Sequence, residues 1–133
     1  MLTTILLVDD DLDDQYIFNN ALKVVDKSIV LSIAKDGVFA FERLKVFKPD
    51  LIFLDMNMPR MNGMEFLTKI KAITPYNQIP VIVYSTHATS IERGKVTALG
   101  ARACIEKPVL FEDTVDTLRN AISSYASDTG KPS

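Results

Sequence analysis

Acidic residues follow two short apolar runs of the chain, and they are the first candidates for chemistry. Asp9 and Asp10 come directly after the run Thr4–Val8, and Asp55 comes directly after the run Leu51–Leu54. Both runs are too short for helices and carry no polar interruption, which predicts two buried β-strands. In open parallel α/β sheets, ligands bind at the carboxyl ends of the strands. We therefore expect the three carboxylates at an edge of the sheet where chemistry can occur.

Two further predicted strands also end in polar residues. A fourth strand over Pro80–Ser85 ends in a hydroxyl, and a short fifth strand over Ala103–Glu106 is followed by Lys107-Pro108. If all these strands are parallel, the Ser85 hydroxyl and the Lys107 ammonium lie at the same edge as the carboxylates. Taken singly, Ser85 could be a turn residue and Lys107 a surface lysine. Their joint placement with the acids carries the functional hypothesis.

Three neighbouring carboxylates predict a cation site. Two of them 4 Å apart repel each other by about 4 kcal/mol at an effective dielectric constant near 20. The donors are hard oxygens without a His or Cys partner, which favours Mg²⁺ or Mn²⁺. We expect Asp10 and Asp55 as direct ligands, Asp9 as a ligand directly or through water, and a loop carbonyl to complete the set. The alternative is a solvated acidic turn whose members cap helices.

The same groups suit phosphoryl transfer to a carboxylate. A cation, an ammonium and a hydroxyl around one carboxylate oxygen stabilise the negative charge that spreads over the phosphoryl oxygens in the transition state. Asp55 is then a nucleophile that forms an acyl phosphate. Lys107 and Ser85 complete the catalytic set. The alternative for Asp55 is an Asx turn or a helix cap.

The elements that must position these residues alternate along the chain. Besides the strands above, apolar spacing predicts a second strand at 29–34 and helices at about 13–25, 38–47, 63–73, 89–99 and 111–125. This alternation predicts an α/β fold, a doubly wound five-stranded parallel sheet in the flavodoxin-like order 2-1-3-4-5 with helices on both faces. That order places the first strand beside the third and brings Asp9 and Asp10 to Asp55. We expect one domain over 1–126 and a short, frayed polar tail over 127–133.

Composition excludes several other classes of protein. The chain has 133 residues, 47% of them hydrophobic, and its 15 basic and 17 acidic side chains give a net charge of −2. We expect no direct nucleic-acid binding and no anionic membrane partner, because there is no basic tract. The single cysteine suits a reducing compartment, and neither a signal peptide nor a long apolar span is present. The expected location is the cytoplasm.

Four motifs together resemble the receiver domain of two-component response regulators. They are Leu6–Asp11, the stretch Asp55–Gly63 (Asp-Met-Asn-Met-Pro-Arg-Met-Asn-Gly), Pro80–Ser85 and Lys107-Pro108. All occur in the order and spacing of that family, and the resemblance covers about 4–125.

The resemblance assigns a role to each motif residue. It implies that Asp55 is the phosphoacceptor and that Asn57 gives its backbone carbonyl to Mg²⁺. It also implies that Asp9 and Asp10 are the family's acidic pair, and that Ser85 and Lys107 bind the phosphoryl oxygens.

The resemblance also implies partners. A sensor histidine kinase or a phosphotransfer protein would supply the phosphoryl group, and the modified surface would bind a downstream protein, with a homodimer as a further possibility. The chain would catalyse only its own phosphorylation and dephosphorylation. No output domain follows, so we expect a single-domain regulator; the alternative is an excised receiver.

One position departs from the family pattern. Receivers usually carry an aromatic residue three positions before the Lys-Pro lysine, and this chain has Cys104 there. We expect a small buried thiol at Cys104 and a readout that uses the loop Thr86–Ser90 and the next helix. His87 is expected to be an exposed loop residue, with an influence on the lifetime of the phosphoryl group as the alternative.

Other functions remain open from the residues alone. A phosphatase of the haloacid dehalogenase type needs a second acid two residues after the nucleophile, where this chain has Asn57. A flavodoxin-like FMN carrier needs a phosphate-binding loop after the first strand, where three acids would repel phosphate. A phosphate-independent protein-binding module is the third alternative.

Overall fold

The structure, a computed structural model, describes residues 2–129 and contains five strands and five helices. The strands are β1 (Thr4–Val8), β2 (Val30–Ala34), β3 (Leu51–Leu54), β4 (Val81–Ser85) and β5 (Ala103–Glu106). The helices are α1 (Leu12–Val25), α2 (Gly37–Leu44), α3 (Gly63–Lys71), α4 (Ser90–Ala98) and α5 (Phe111–Thr129), with a 3₁₀ turn at Tyr76–Gln78 before β4. No helix within 2–129 has both the length and the apolar character that crossing a bilayer requires.

The sheet has the predicted topology. All its strand pairs are parallel and their order is β2-β1-β3-β4-β5. Val8 pairs with Ala34 on one side and with Leu54 on the other, so three strands end level. This register brings the residues that follow those strands to one edge.

Two apolar clusters bury the two faces of the sheet, as the predicted helix arrangement requires. On one face, Leu6 and Val8 belong to a cluster with Phe66 of α3 and Val96 of α4. On the other face, Ile5 and Leu7 of the same strand pack with residues of α1 and α5. Alternate side chains of a strand point to opposite faces, and both faces are covered, so the central strands are apolar throughout.

Polar side chains at the helix N-termini explain where helices begin. Asp11 accepts a hydrogen bond from the Asp14 backbone at the start of α1. Asn62 and Glu65 form a reciprocal capping box at the start of α3. The Thr89 hydroxyl accepts from the Glu92 backbone and opens α4, in agreement with the predicted cap.

Three helix ends differ from prediction. α2 ends at Leu44 rather than about 47, because the chain leaves the helix in a turn that keeps Phe47 packed against the core. α3 ends at Lys71 rather than about 73. α5 continues to Thr129 rather than ending near Tyr125, since no Gly or Pro interrupts it before Gly130. Residues 127–129 of the expected tail belong to this helix, and 130–133 lie outside the described residues.

Candidate functional site

Three of the predicted site residues are the first residues beyond their strands. Asp9, Asp55 and Lys107 each donate the backbone N–H to the last residue of a neighbouring strand, at 3.0, 2.8 and 2.7 Å. The hydrogen-bond ladder thus extends one residue past β1, β3 and β5. This extension fixes the three backbones before any side-chain contact is made.

The predicted carboxylates converge. Asp9, Asp10 and Asp55 each place one carboxylate oxygen within 4.8 Å of the others. Asp9 and Asp55 are 1% and 4% exposed, whereas Asp10 faces solvent. The donors are hard oxygens, two from buried residues and one accessible, so the chemistry of the set fits a divalent cation entering from solvent. The sequence prediction of a three-carboxylate cluster is confirmed.

The ammonium of Lys107 lies among carboxylates. Its nitrogen is 2.9 Å from Asp9 Oδ2 and 3.7 Å from Asp55 Oδ1, and its side chain is 10% exposed. A third contact, 2.8 Å to Asp14 Oδ2, comes from the first turn of α1. The sequence patterns did not predict this ion pair.

Burial and neighbouring charges shift the pKa values of the acidic and basic side chains in the site. Burial raises the pKa of Asp55 from 3.8 to about 6, with Asp9 and Asp10 adding to the rise and Lys107 opposing it. Burial also raises the pKa of Asp9, despite its bond to Lys107. For Lys107, burial works against the charged form, but the bonds to Asp14 and Asp9 outweigh it and raise the pKa. The Asp55 carboxylate is therefore costly to ionise in its buried position, and the Lys107 ammonium only partly offsets that cost.

Ser85 reaches the same edge but its hydroxyl points into its own loop. The side chain is fully buried and Oγ donates to the His87 carbonyl at 3.3 Å. His87 is exposed, as expected.

The β3–α3 loop wraps closely around Asp55. The Asn57 backbone N–H faces Asp55 Oδ1 at 3.4 Å, and the Asn57 side chain is exposed. A Cβ at Gly63 would lie 2.6 Å from the Asp55 carbonyl oxygen, so only glycine allows α3 to start this close to the strand end.

An ion pair that the sequence did not predict holds the same loop. Arg60 donates from Nε to Asp36 Oδ2 at 2.8 Å and from Nη2 to Asp36 Oδ1 at 3.1 Å. Asp36 is buried and its Oδ1 also caps α2 by accepting from the Phe39 backbone. The loop that contains Asn57 is thereby attached to the start of α2.

The β4–α4 loop is attached to β5. Arg93 of α4 donates from Nε to the Ala88 carbonyl at 3.1 Å and from Nη1 to the Cys104 carbonyl. The Ala88 backbone N–H donates to the Glu106 carboxylate at 3.2 Å. Cys104 packs against the core as a small thiol, but it is only half-buried rather than buried as expected. β5 is an edge strand with incomplete cover, which leaves this position partly open.

Comparison with known proteins agrees with this geometry. The chain matches the family model of the response regulator receiver domain over residues 5–119. It is 38% identical over 106 residues to a protein-glutamate methylesterase/protein-glutamine glutaminase of Trichodesmium erythraeum, a match that covers 78% of this chain and 30% of that protein. The chain spans less than half the length of the curated relatives it matches, with 28% to 41% for three of them.

Two solved structures resemble the whole described fold. The Mn²⁺-bound form of response regulator Rcp1 has a TM-score of 0.83 and 26% identity, covering 98% of this chain and 99% of that chain. The phosphorylated cyanobacterial phytochrome response regulator RcpA has a TM-score of 0.88 and 26% identity, with 100% of both chains covered.

Proposed function

Because the chain belongs to the response regulator receiver family, we propose that it accepts a phosphoryl group on Asp55 and thereby switches a surface that binds an output partner. One observation carries the proposal. The buried Asp55 carboxylate lies 3.7 Å from the Lys107 ammonium and shares a 4.8 Å cluster with two further carboxylates. A nucleophilic carboxylate oxygen at a strand end thus lies beside an ammonium and a candidate cation site, which can both stabilise the negative charge of an incoming phosphoryl group.

The chemical step is a displacement at phosphorus. An ionised Asp55 oxygen attacks the phosphorus of a phosphohistidine or a small acyl phosphate, the bond from phosphorus to the donor breaks, and the donor retains the bonding electron pair. With a pKa of about 6, Asp55 is mostly ionised at neutral pH and can act as the nucleophile. Asp55 leaves the reaction as an acyl phosphate.

A divalent cation, Mg²⁺ or Mn²⁺, would offset the negative charge of the carboxylates and of the phosphoryl oxygens. Asp9, Asp10 and Asp55 would hold it with the backbone carbonyl of Asn57. The oxygen donors and the burial that raises the pKa of Asp55, with Asp9 and Asp10 adding to the rise, support this assignment. The Mn²⁺ reported for Rcp1 supports a hard divalent ion in a similar fold.

Ser85 and Lys107 would bind the phosphoryl oxygens, and Ser85 would transmit the change. Its hydroxyl must leave the His87 carbonyl to reach a phosphoryl oxygen, which draws the loop Thr86–Ser90 inward. Arg93 and Glu106 connect that loop to β5. The altered surface therefore comprises the loop and α4, with only a weak change in β5 and without an aromatic side chain at Cys104.

The expected partners follow from this role. A sensor histidine kinase or a phosphotransfer protein donates the phosphoryl group, and a downstream protein reads the α4 surface, with homodimer formation as a further mode. The reaction takes place in the cytoplasm, and the chain catalyses only its own phosphorylation and dephosphorylation. It makes no direct contact with nucleic acid or membrane.

The test is intact-mass analysis with Mg²⁺ and acetyl phosphate. The parent should gain one phosphoryl group that hydroxylamine removes, as an acyl phosphate requires. Asp55→Asn should gain none, whereas Asp13→Asn, an exposed acid of the α1 first turn, should behave as the parent. Phosphate on Asp55→Asn, or on a serine or threonine, would exclude the mechanism. A bound flavin in the absorbance spectrum would favour the FMN carrier instead.

A further inference from the structure

Asp14 makes the shortest contact of the Lys107 ammonium. Its Oδ2 lies 2.8 Å away, compared with 2.9 Å for Asp9 and 3.7 Å for Asp55. The Asp14 side chain is 34% exposed, while that of Lys107 is 10% exposed. Asp14 belongs to α1 and lies outside the carboxylate cluster that fits a cation.

The three contacts are not equivalent. A lysine ammonium has three N–H donors, and Asp9 and Asp14 are within hydrogen-bond distance, whereas Asp55 is beyond it. Asp9 and Asp55 also belong to the candidate cation site. A cation there takes up part of their charge, so Asp14 becomes the partner that holds Lys107 independently of the cation.

We propose that Asp14 is a positioning residue that competes with the phosphoryl group on Asp55 for the ammonium of Lys107. The inference rests on the proposed phosphoacceptor function. To bind a phosphoryl oxygen on Asp55, Lys107 must lengthen or give up its bond to Asp14. The Asp14 carboxylate is partly exposed, so water can replace the lost bond, and the competition is moderate and reversible.

The same carboxylate acts in the opposite direction on the cation. Asp14 adds a negative charge close to the three clustered carboxylates, which favours a divalent cation. Removing that charge while keeping the shape of the side chain should therefore weaken cation binding and strengthen binding of a phosphoryl group. A purely structural role in α1 would not separate the two effects in this way.

The experiment uses the full chain and two titrations. Mg²⁺ affinity is measured by calorimetry, and beryllofluoride affinity is measured at saturating Mg²⁺ by ¹⁹F NMR. For Asp14→Asn we expect Mg²⁺ affinity to fall by about threefold to tenfold and beryllofluoride affinity to rise by a similar factor. Asp13→Asn, in the same helical turn, should change each by less than about twofold. Asp14→Glu keeps a carboxylate within reach of Lys107 and should restore both affinities toward the parent values.

Each other result overturns the inference. If Asp14→Asn lowers both affinities, leaves beryllofluoride binding unchanged, or is matched by Asp13→Asn, Asp14 does not compete for Lys107. The side-chain ¹⁵N resonance of Lys107 should shift in Asp14→Asn before any phosphoryl mimic is added, and an unchanged resonance would also contradict the proposal. A parent protein that binds no beryllofluoride would refute the phosphoacceptor function together with this inference. If the parent protein does bind beryllofluoride, the variants test the role of Asp14 alone.

Discussion

Arg60 forms two hydrogen bonds to Asp36, at 2.8 and 3.1 Å, and so joins the β3–α3 loop to the first turn of α2. Arg60 has a φ of 62°, in the left-handed region that costs a non-glycine residue about 1 kcal/mol or more. Its guanidinium also lies 5.1 Å from the centre of the Phe39 ring. The two bonds and the ring contact offset the backbone strain and hold the loop that follows Asp55.

Arg60→Ala should lower the free energy of unfolding by about 2 kcal/mol, a figure reduced from that of a fully buried pair because Arg60 is half-exposed. It leaves the buried Asp36 charge without its partner and retains the unfavourable φ. Asp36→Asn keeps the helix cap but removes the charge. In urea titrations, the double variant should lose less stability than the two single variants added together. Simple additivity would contradict the coupling.

Asp55→Asn should stabilise the protein at neutral pH in the presence of a chelator. The folded-state pKa of about 6 lies above the ordinary value of 3.8, so the folded protein binds more protons between these values and loses stability as pH rises through them. At pH 7.5, removal of the charge should therefore add about 1–2 kcal/mol after allowance for solvent screening.

The size of that gain depends on pH and on the cation. The gain should shrink as the pH is lowered toward 4.5, because Asp55 of the parent is then mostly protonated and its burial costs less free energy. It should also shrink when Mg²⁺ is added. Thermal unfolding at the two pH values, with and without Mg²⁺, measures both effects. A gain that does not vary with pH would show that the ionisation of the buried Asp55 carboxylate is not its cause.

Asp10→Ala should abolish Mg²⁺ binding with little change in stability. Asp10 is the exposed member of the carboxylate cluster, so the fold does not depend on its burial, but a cation loses a direct oxygen donor. Calorimetric titration measures the loss, and Asp13→Ala serves as the matched exposed acid. Undiminished affinity in Asp10→Ala would exclude this cluster as the cation site.

Beryllofluoride should change amide hydrogen exchange most strongly over 85–99 and only weakly around 103–106. Arg93→Ala removes the side-chain bonds to the Ala88 and Cys104 carbonyls, so the loop should exchange faster before the mimic is added. In that variant the response of α4 should be reduced. Lys95→Ala, an exposed lysine on the same helix, should leave both unchanged. A response centred on Cys104 would refute this readout.

The order of the sheet and the convergence of the carboxylates were predictable from sequence because both depend on local patterns. An apolar run followed by an acid marks a buried strand and its carboxyl end, and the topology then brings Asp9 to Asp55. The contacts of Asp14, Arg60 and Arg93 were not predictable in this way. Each of these side chains reaches an element distant in sequence, and its partner depends on the packed positions of both elements rather than on either local pattern.

The partial exposure of Cys104 has a similar cause. A cysteine in an apolar run predicts burial, but β5 is at the edge of the sheet, where one side of the strand has no neighbouring strand to cover it. The last turn of α5 was missed because small polar residues suggested a tail, whereas nothing in them stops a helix already formed.

The level ends of the central strands imply an uneven tolerance to inserted residues. Val8 and Leu54 pair across β1 and β3; Asp55 continues this ladder, and Asp9 continues the ladder between β1 and β2. A single residue inserted in either strand would turn the following acid to the opposite face of the sheet. At the other edge, the connection after α2 includes Val46, which is 86% exposed. A reporter peptide or a fluorescent fusion is therefore best placed there, where the chain can lengthen without changing which side chains meet at the pocket.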